Sequence, residues 1–125
     1  MSAMRPLSLL LLTLAFPAAA ADDSGRKVYE STCIECHGSG KLDAPKFGDP
    51  KRWNKLVREG LDDLVPAALR GIRKMPAKGG NAALSDLEVA QAVIYMANAG
   101  GGKFAEPSAS DIARWRAKAD RKKKP

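Results

Sequence analysis

The sequence predicts an all-α protein, and three observations carry that prediction. Apolar residues recur at helical spacing in several segments, residues typical of helix ends flank those segments, and no stretch makes a convincing β-strand. The chain has 125 residues, a length that corresponds to one domain. We therefore expect about four short helices in one small domain.

The first helix is expected over residues 24–37, and the second over residues 49–60. Asp49 and Pro50 mark the start of the second helix, since an N-cap residue is followed by proline at the first helical position. Gly60 marks its end.

The third helix is expected to begin at Asp62 or Asp63 and to end at Gly71. Its proline, Pro66, is compatible with a helix only within the first turn. Farther along, proline removes a backbone hydrogen bond and clashes with the preceding turn.

The fourth helix has the clearest signals. Ser85 and Glu88 form a capping box at its start, and the glycines of residues 100–102 end it. Between the third and fourth helices, residues 71–83 contain the run Met-Pro-Ala-Lys-Gly-Gly, which begins at Met75. Proline and paired glycines predict a shaped loop here instead of a helix.

The start of the chain is typical of an exported protein. Residues 1–21 combine a short positive segment, an apolar run and small residues, as in a cleaved signal peptide. The apolar run is about half of the roughly 20 residues that a spanning helix needs, which disfavours an uncleaved anchor. We expect a mature chain beginning near Asp22, a domain over residues 22–102 and a basic C-terminal extension over residues 103–125.

The net charge is concentrated in this extension. Residues 22–102 hold 12 basic and 11 acidic residues, whereas residues 103–125 hold eight and three. One hypothesis is that the extension docks weakly to an acidic partner or to a membrane surface of anionic lipids. The other is a solvated, partly disordered tail with Trp115 resting on the domain, in which one short helix could place Ile112, Trp115 and Ala119 on one side. Export disfavours a nucleic-acid partner despite the charge.

The chemistry is concentrated in residues 33–37, Cys-Ile-Glu-Cys-His, the pattern of covalent haem attachment. On a helix these positions share a face, so Cys33 and Cys36 can form thioethers with a haem while His37 binds its iron. A thioredoxin-like redox pair would need a βαβ surrounding, and a structural zinc site would need four ligands. A Cys33–Cys36 disulfide is sterically poor within a helix. The pattern therefore predicts one haem c.

The position on the iron opposite His37 could be filled by a residue from elsewhere in the chain. The single histidine excludes bis-histidine ligation within one chain. Met75 is favoured because its loop can reach the opposite face of the haem, whereas Met96 lies in the apolar stripe of the fourth helix, where core packing is the simpler role. A lysine ligand and an open sixth position are the remaining alternatives. Histidine and methionine together raise the reduction potential and favour electron transfer over catalysis.

With these features the chain resembles the class I c-type cytochromes, specifically the bacterial cytochrome c5 family. The resemblance spans roughly residues 24–100. The matching positions are Tyr29, residues 33–37, residues 44–49, Trp53, residues 60–61, residues 75–80, residues 85–86 and residues 92–96.

The resemblance implies the small class I cytochrome c fold, about four helices wrapped around one covalent haem. The first and last helices would cross where Gly25 and Tyr29 meet Tyr95. Many members carry an extra cysteine pair after the Gly-Gly, but Asn81 and Ala82 follow it here, so this chain lacks that disulfide.

The resemblance also implies the haem-binding residues and the function. Pro45 would accept the ring hydrogen of His37, Met75 would bind the iron, and Trp53 would belong to the haem-binding set. The protein would be a periplasmic electron carrier and not an enzyme, acting as a monomer between a membrane donor complex and a terminal oxidase or reductase. Two alternatives stay open: a haem-based sensor or peroxidase with an open sixth site, and a cytochrome subunit recruited to a membrane complex by its basic tail.

Overall fold

A computed structural model describes the backbone of residues 19–122 and the side chains of residues 23–122. The predicted signal peptide lies almost entirely outside these residues. The described part is all-α, as predicted, with short 3₁₀ turns at Lys41–Asp43 and Ala77–Gly80. Its α-helices are α1 (Ala19–Val28), α2 (Ile34–His37), α3 (Pro50–Glu59), α4 (Leu61–Arg70), α5 (Asp86–Ala99) and α6 (Ala109–Arg121).

The predicted first helix is interrupted just before the haem motif. Residues Tyr29–Cys33 form a π-helical turn that joins α1 to α2, and the amide of Ile34 bonds to the carbonyl of Tyr29 five residues earlier. A π turn contains more residues than an α turn, and such turns are frequent at functional sites. The motif therefore spans a junction, with Cys33 closing the π turn and His37 ending α2.

The crossing of α1 and α5 is as the family resemblance implied. A methyl group added at Gly25 would overlap the backbone carbonyl of Gln91, so only glycine permits this close approach. The rings of Tyr29 and Tyr95 pack 5.6 Å apart, and Phe47 lies between 4.7 and 5.3 Å from both. This aromatic cluster fixes the helix that carries the haem motif against the last helix of the family fold.

The predicted helix starts are confirmed at α3 and α5. The Asp49 carboxylate accepts a hydrogen bond from the Lys51 amide, and Ser85 and Glu88 make the reciprocal bonds of a capping box. These side chains satisfy backbone donors that the first turn of a helix leaves without partners.

The prediction for Pro66 is wrong. This buried proline lies in the interior of α4 and not in its first turn, because α4 begins at Leu61. Proline cannot donate to the carbonyl four residues earlier, which belongs to Asp62. That oxygen instead accepts a hydrogen bond of 2.7 Å from Nζ of Lys118 in α6. The last helix thus supplies the donor that the proline lacks.

The expected contact of Trp115 with the domain is confirmed, but the expectation of a solvated, partly disordered tail is wrong for residues 109–121. They form α6, whose Trp115 is 3% exposed and whose Ala119 is fully buried, in one cluster with Val65 of α4 and Val89 of α5. The indole nitrogen of Trp115 donates to the Asp62 carboxylate at 2.6 Å. The apolar side proposed from the sequence is therefore the face by which α6 packs. None of the described helices is long and apolar enough to cross a membrane.

Candidate haem site

All six residues predicted for the haem site line one cavity of about 980 Å³. This volume is at the upper end of the range typical of sites for small molecules and cofactors, roughly 300–1,000 Å³. Walls come from the π turn, α2, α3, α4, α5 and the loop after α4. The six residues are Cys33, Cys36, His37, Pro45, Trp53 and Met75.

The two cysteines are partly buried free thiols in the wall of this cavity. Burial raises the pKa of the Cys33 thiol to about 11. A dithiol that exchanges disulfides needs the opposite, a lowered thiol pKa, so Cys33 does not fit a thioredoxin-like pair. Within the described residues, no three His, Cys, Asp or Glu side chains are grouped so that they could hold a metal ion, which disfavours the zinc alternative.

His37 is buried, and its ring is held by a backbone contact. Its Nδ1 atom lies 2.8 Å from the carbonyl oxygen of Pro45. A carbonyl can only accept a hydrogen bond, so this contact assigns the proton to Nδ1 and leaves the lone pair of Nε2 for a metal. The amide of Phe47 donates to the carbonyl of His37 at 2.7 Å. The segment after the motif is therefore bonded to both the side chain and the backbone of His37.

Trp53 closes the cavity from α3. It is 3% exposed, its ring centre lies 6.4 Å from that of His37, and its indole nitrogen donates to the carbonyl of Lys46 at 3.0 Å. Gly100 packs against it so closely that an added methyl group would overlap the indole. Trp53 is therefore immobilised as a wall beside the histidine.

The two candidate methionines both line the cavity but differ in their surroundings. Met75 is partly exposed and lies in a tight turn, where it exchanges two backbone hydrogen bonds of 2.9 and 3.0 Å with Ile72. Met96 is 3% exposed and packs with Tyr29 and Trp53 in the core, the role that its position in the apolar stripe predicted. Met75 packs against the other core cluster only as a partly buried residue, so its thioether is less enclosed by the core than that of Met96.

The loop that carries Met75 (residues 71–83, the methionine loop) also contacts the segment that carries the haem motif. The side-chain amide of Asn81 lies 3.4 Å from the hydroxyl oxygen of Thr32, and a methyl group added at Gly79 would contact the same threonine. Thr32 immediately precedes Cys33. The loop and the attachment segment therefore form adjacent parts of one wall.

The basic rim of this cavity was not predicted from the sequence. Nine basic and four acidic residues line it within the described part of the chain, and Lys51, Lys55, Arg73 and Lys74 among them are exposed. Lys118 of α6 and Lys122, just after this helix, also contribute. The four-residue spacing of Lys51 and Lys55 on a helix could have indicated a shared basic face. The meeting of that face with basic residues from two later segments depends on the tertiary fold.

Comparison with known proteins agrees with this geometry. Residues 20–96 match the sequence model of the family described as "Cytochrome C oxidase, cbb3-type, subunit III". The chain is 40% identical over 93 residues to cytochrome c-555 of Chlorobaculum tepidum, a match that covers 71% of this chain and 84% of that protein. It is 42% identical over 72 residues to cytochrome c5 of Azotobacter vinelandii, covering 56% and 87%.

A solved structure gives the same result in three dimensions. The cytochrome in a crystal structure of an electron transfer complex of nitrite reductase with cytochrome c superimposes with a TM-score of 0.59 at 40% sequence identity. The match covers 62% of this chain and 94% of that chain. Because the family match ends at residue 96, α6 lies beyond it.

Proposed function

The chain belongs to the class I c-type cytochromes, of the c5 kind, and from this membership we propose that it is a periplasmic electron carrier whose haem iron is bound by His37 and Met75. The family holds haem c covalently, and the protein is a monohaem electron carrier. When bound, the haem iron alternates between its ferric and ferrous states and so accepts or releases one electron.

One observation carries the assignment of the site residues. The only Cys-x-x-Cys-His motif, a methionine in a shaped loop and a buried tryptophan line the same cavity. Cys33 and Cys36 would form the two thioether bonds to the haem, and Nε2 of His37 and the sulfur of Met75 would bind its iron. The Pro45 carbonyl keeps the His37 ring in one orientation and in one tautomer.

Histidine and methionine ligation suits electron transfer because it leaves no iron position for a substrate. A thioether is a neutral, weak donor that stabilises ferrous iron, so it raises the reduction potential. The tight turn at Met75 and the buried Trp53 hold the cavity walls in place, and a rigid site needs little rearrangement when its charge changes. These features favour an electron carrier over a haem sensor or peroxidase.

The basic rim favours acidic redox partners. Exposed lysines around the mouth of the cavity would steer an acidic protein surface toward it, which raises the rate of encounter. The related cytochrome in the solved complex is seated on a nitrite reductase. We propose that this protein likewise exchanges electrons with a membrane donor complex and a terminal oxidase or reductase, and that it does so as a monomer.

A second candidate is a subunit of a membrane complex, and the description of the matching family, a subunit of an oxidase, favours it. Recruitment through the basic tail has less support. Arg114, Arg116 and Lys118 pair with acidic residues of α4 and α5, so their charges are directed at the protein itself. Fractionation of cells expressing the full chain would separate the two candidates. A carrier stays in the soluble periplasmic fraction at low salt, whereas a complex subunit sediments with membranes.

The direct test of the proposal uses the exported protein. Its mass under denaturing conditions should exceed that of the polypeptide by one haem, and acid-acetone should fail to extract the pigment. The ferrous protein should bind carbon monoxide slowly, since Met75 must first leave the iron. Fast binding in the wild type would point instead to the sensor or peroxidase alternative, and an extractable pigment would contradict covalent attachment.

A further inference from the structure

The methionine loop is connected to α6 by a chain of charged side chains. Arg116 of α6 forms a bidentate pair with Asp86 at the start of α5, with distances of 2.6 and 2.8 Å. The Oδ1 atom of Asp86, which accepts the shorter of these two bonds, also lies 3.4 Å from Nζ of Lys78 in the loop. Lys78 in turn donates to the carbonyl of Leu84 at 2.6 Å, across the end of the loop.

We infer that α6 is a clamp on the methionine loop and that Arg116 and Asp86 are positioning residues, which act through Lys78 to keep the Met75 sulfur on the iron. This inference rests on the proposed ligation by Met75. It assigns a role to a helix that lies beyond the family match.

The burial of these groups makes the connection strong enough to matter. The side chains of Lys78, Asp86 and Arg116 are 20%, 23% and 30% exposed, so solvent screens their charges only in part. Two cations share one carboxylate. If that carboxylate is removed, Arg116 keeps its pair with Asp120 of α6 but loses its link to Lys78, and the loop is the part that can move away.

The other end of the clamp is well anchored. Trp115 and Ala119 are buried against α4 and α5, and Trp115 and Lys118 bond to Asp62 and Asp63 of α4. Arg116 therefore projects from a fixed helix. In the loop, Lys78 has a backbone φ of 54°, in the left-handed region that residues other than glycine rarely adopt. External contacts such as those to Asp86 and Leu84 hold it in this conformation.

The test compares Asp86→Asn with Asp62→Asn in the haem-loaded full chain. Both changes remove a carboxylate that accepts bonds from α6, but the donors to Asp62 are Arg114 and Trp115, whereas Asp86 also pairs with Lys78 of the loop. Two transitions are followed in urea: the loss of the charge-transfer band between the methionine sulfur and ferric iron, and global unfolding by far-ultraviolet circular dichroism. Amide hydrogen exchange of residues 75–81 is measured in the ferrous protein.

In Asp86→Asn we expect the charge-transfer band to disappear at a lower urea concentration than global unfolding. Amide exchange in the loop should accelerate about tenfold, because one charge-assisted hydrogen bond is lost. Arg116→Gln should behave similarly. In Asp62→Asn both transitions should move together. If the Asp86 and Asp62 variants lose the band at the same urea concentration and show the same exchange rates in the loop, the proposed role of α6 is wrong. A band that survives Met75→Ala would instead overturn the ligand assignment, and hydrogen exchange would still decide whether α6 restrains the loop.

Discussion

The Nδ1 atom of His37 lies 2.8 Å from the carbonyl oxygen of Pro45, eight residues along the chain. A backbone carbonyl accepts hydrogen bonds and donates none, so the contact fixes both the tautomer and the orientation of the ring. The proposed iron ligand is thus positioned by the backbone that follows the motif, in a segment whose proline restricts its conformations.

This relationship predicts an effect of Pro45→Gly. Glycine keeps the carbonyl but lacks the ring that fixes φ at proline, so the segment gains conformational freedom and holds the His37 ring less firmly. Exchange of the Nδ1 proton of His37 with solvent, followed by NMR in the ferrous protein, should therefore be faster than in the wild type. Pro107→Gly, which makes the same change before α6, should leave this exchange rate unaltered. Equal exchange rates in all three proteins would contradict a positioning role for the segment.

Trp115 provides the second prediction, for stability. Trp115→Ala opens a cavity between α4, α5 and α6 and should lower the free energy of unfolding by about 3–5 kcal/mol. Trp115→Phe keeps most of the apolar contact and loses the bond to Asp62, so it should cost about 1 kcal/mol. Urea denaturation of the haem-loaded protein measures both. Wild-type stability of Trp115→Ala would mean that α6 does not belong to the folded unit.

Much of the fold could be predicted because its signals are local. The haem motif occupies five consecutive residues, and the caps of α3 and α5 depend on side chains within three positions of the backbone groups that they satisfy. The crossing of α1 and α5, and the roles of Pro45 and Trp53, came from family resemblance and not from composition or spacing.

The role of α6 could not be predicted because it depends on residues far away in sequence. The sequence shows a basic tail with a short apolar stripe, but the acidic residues Asp62 and Asp63 precede their partners Arg114 and Lys118 by more than 50 residues. The same distance explains the error at Pro66, since the donor that compensates for it is Lys118. Both features require the tertiary fold before they can be recognised.

The third prediction concerns acid. In the folded protein the bond from Arg116, opposed in part by burial, holds the pKa of Asp86 below its ordinary value. A lowered folded pKa contributes stability above the unfolded pKa of about 3.9, and this contribution is lost as the pH falls through the folded value. Asp86→Asn should therefore lower stability at neutral pH while reducing the steepness of acid destabilisation below about pH 4. Parallel stability curves for wild type and variant between neutral and acidic pH would contradict this account.

The basic rim supports a fourth prediction, on association rate. Lys55→Glu or Lys74→Glu should slow electron exchange with an acidic redox partner by about tenfold at low ionic strength, because each reverses a charge at the mouth of the cavity. Lys103→Glu makes the same change in charge at an exposed position outside the cavity lining and should have a smaller effect. In about 1 M salt, where charges are screened within roughly 3 Å, the three variants should converge on the wild type. Identical rates at low salt would exclude docking through this rim.

The most direct test of the account is the charge-transfer band between sulfur and ferric iron, measured in Met75→Ala and in Met96→Ala. Loss of the band in the first variant and its retention in the second is the predicted result, since Met75 lies in the loop and Met96 packs in the core. A band that persists in Met75→Ala would contradict the assignment of the iron ligand and, with it, the proposed carrier.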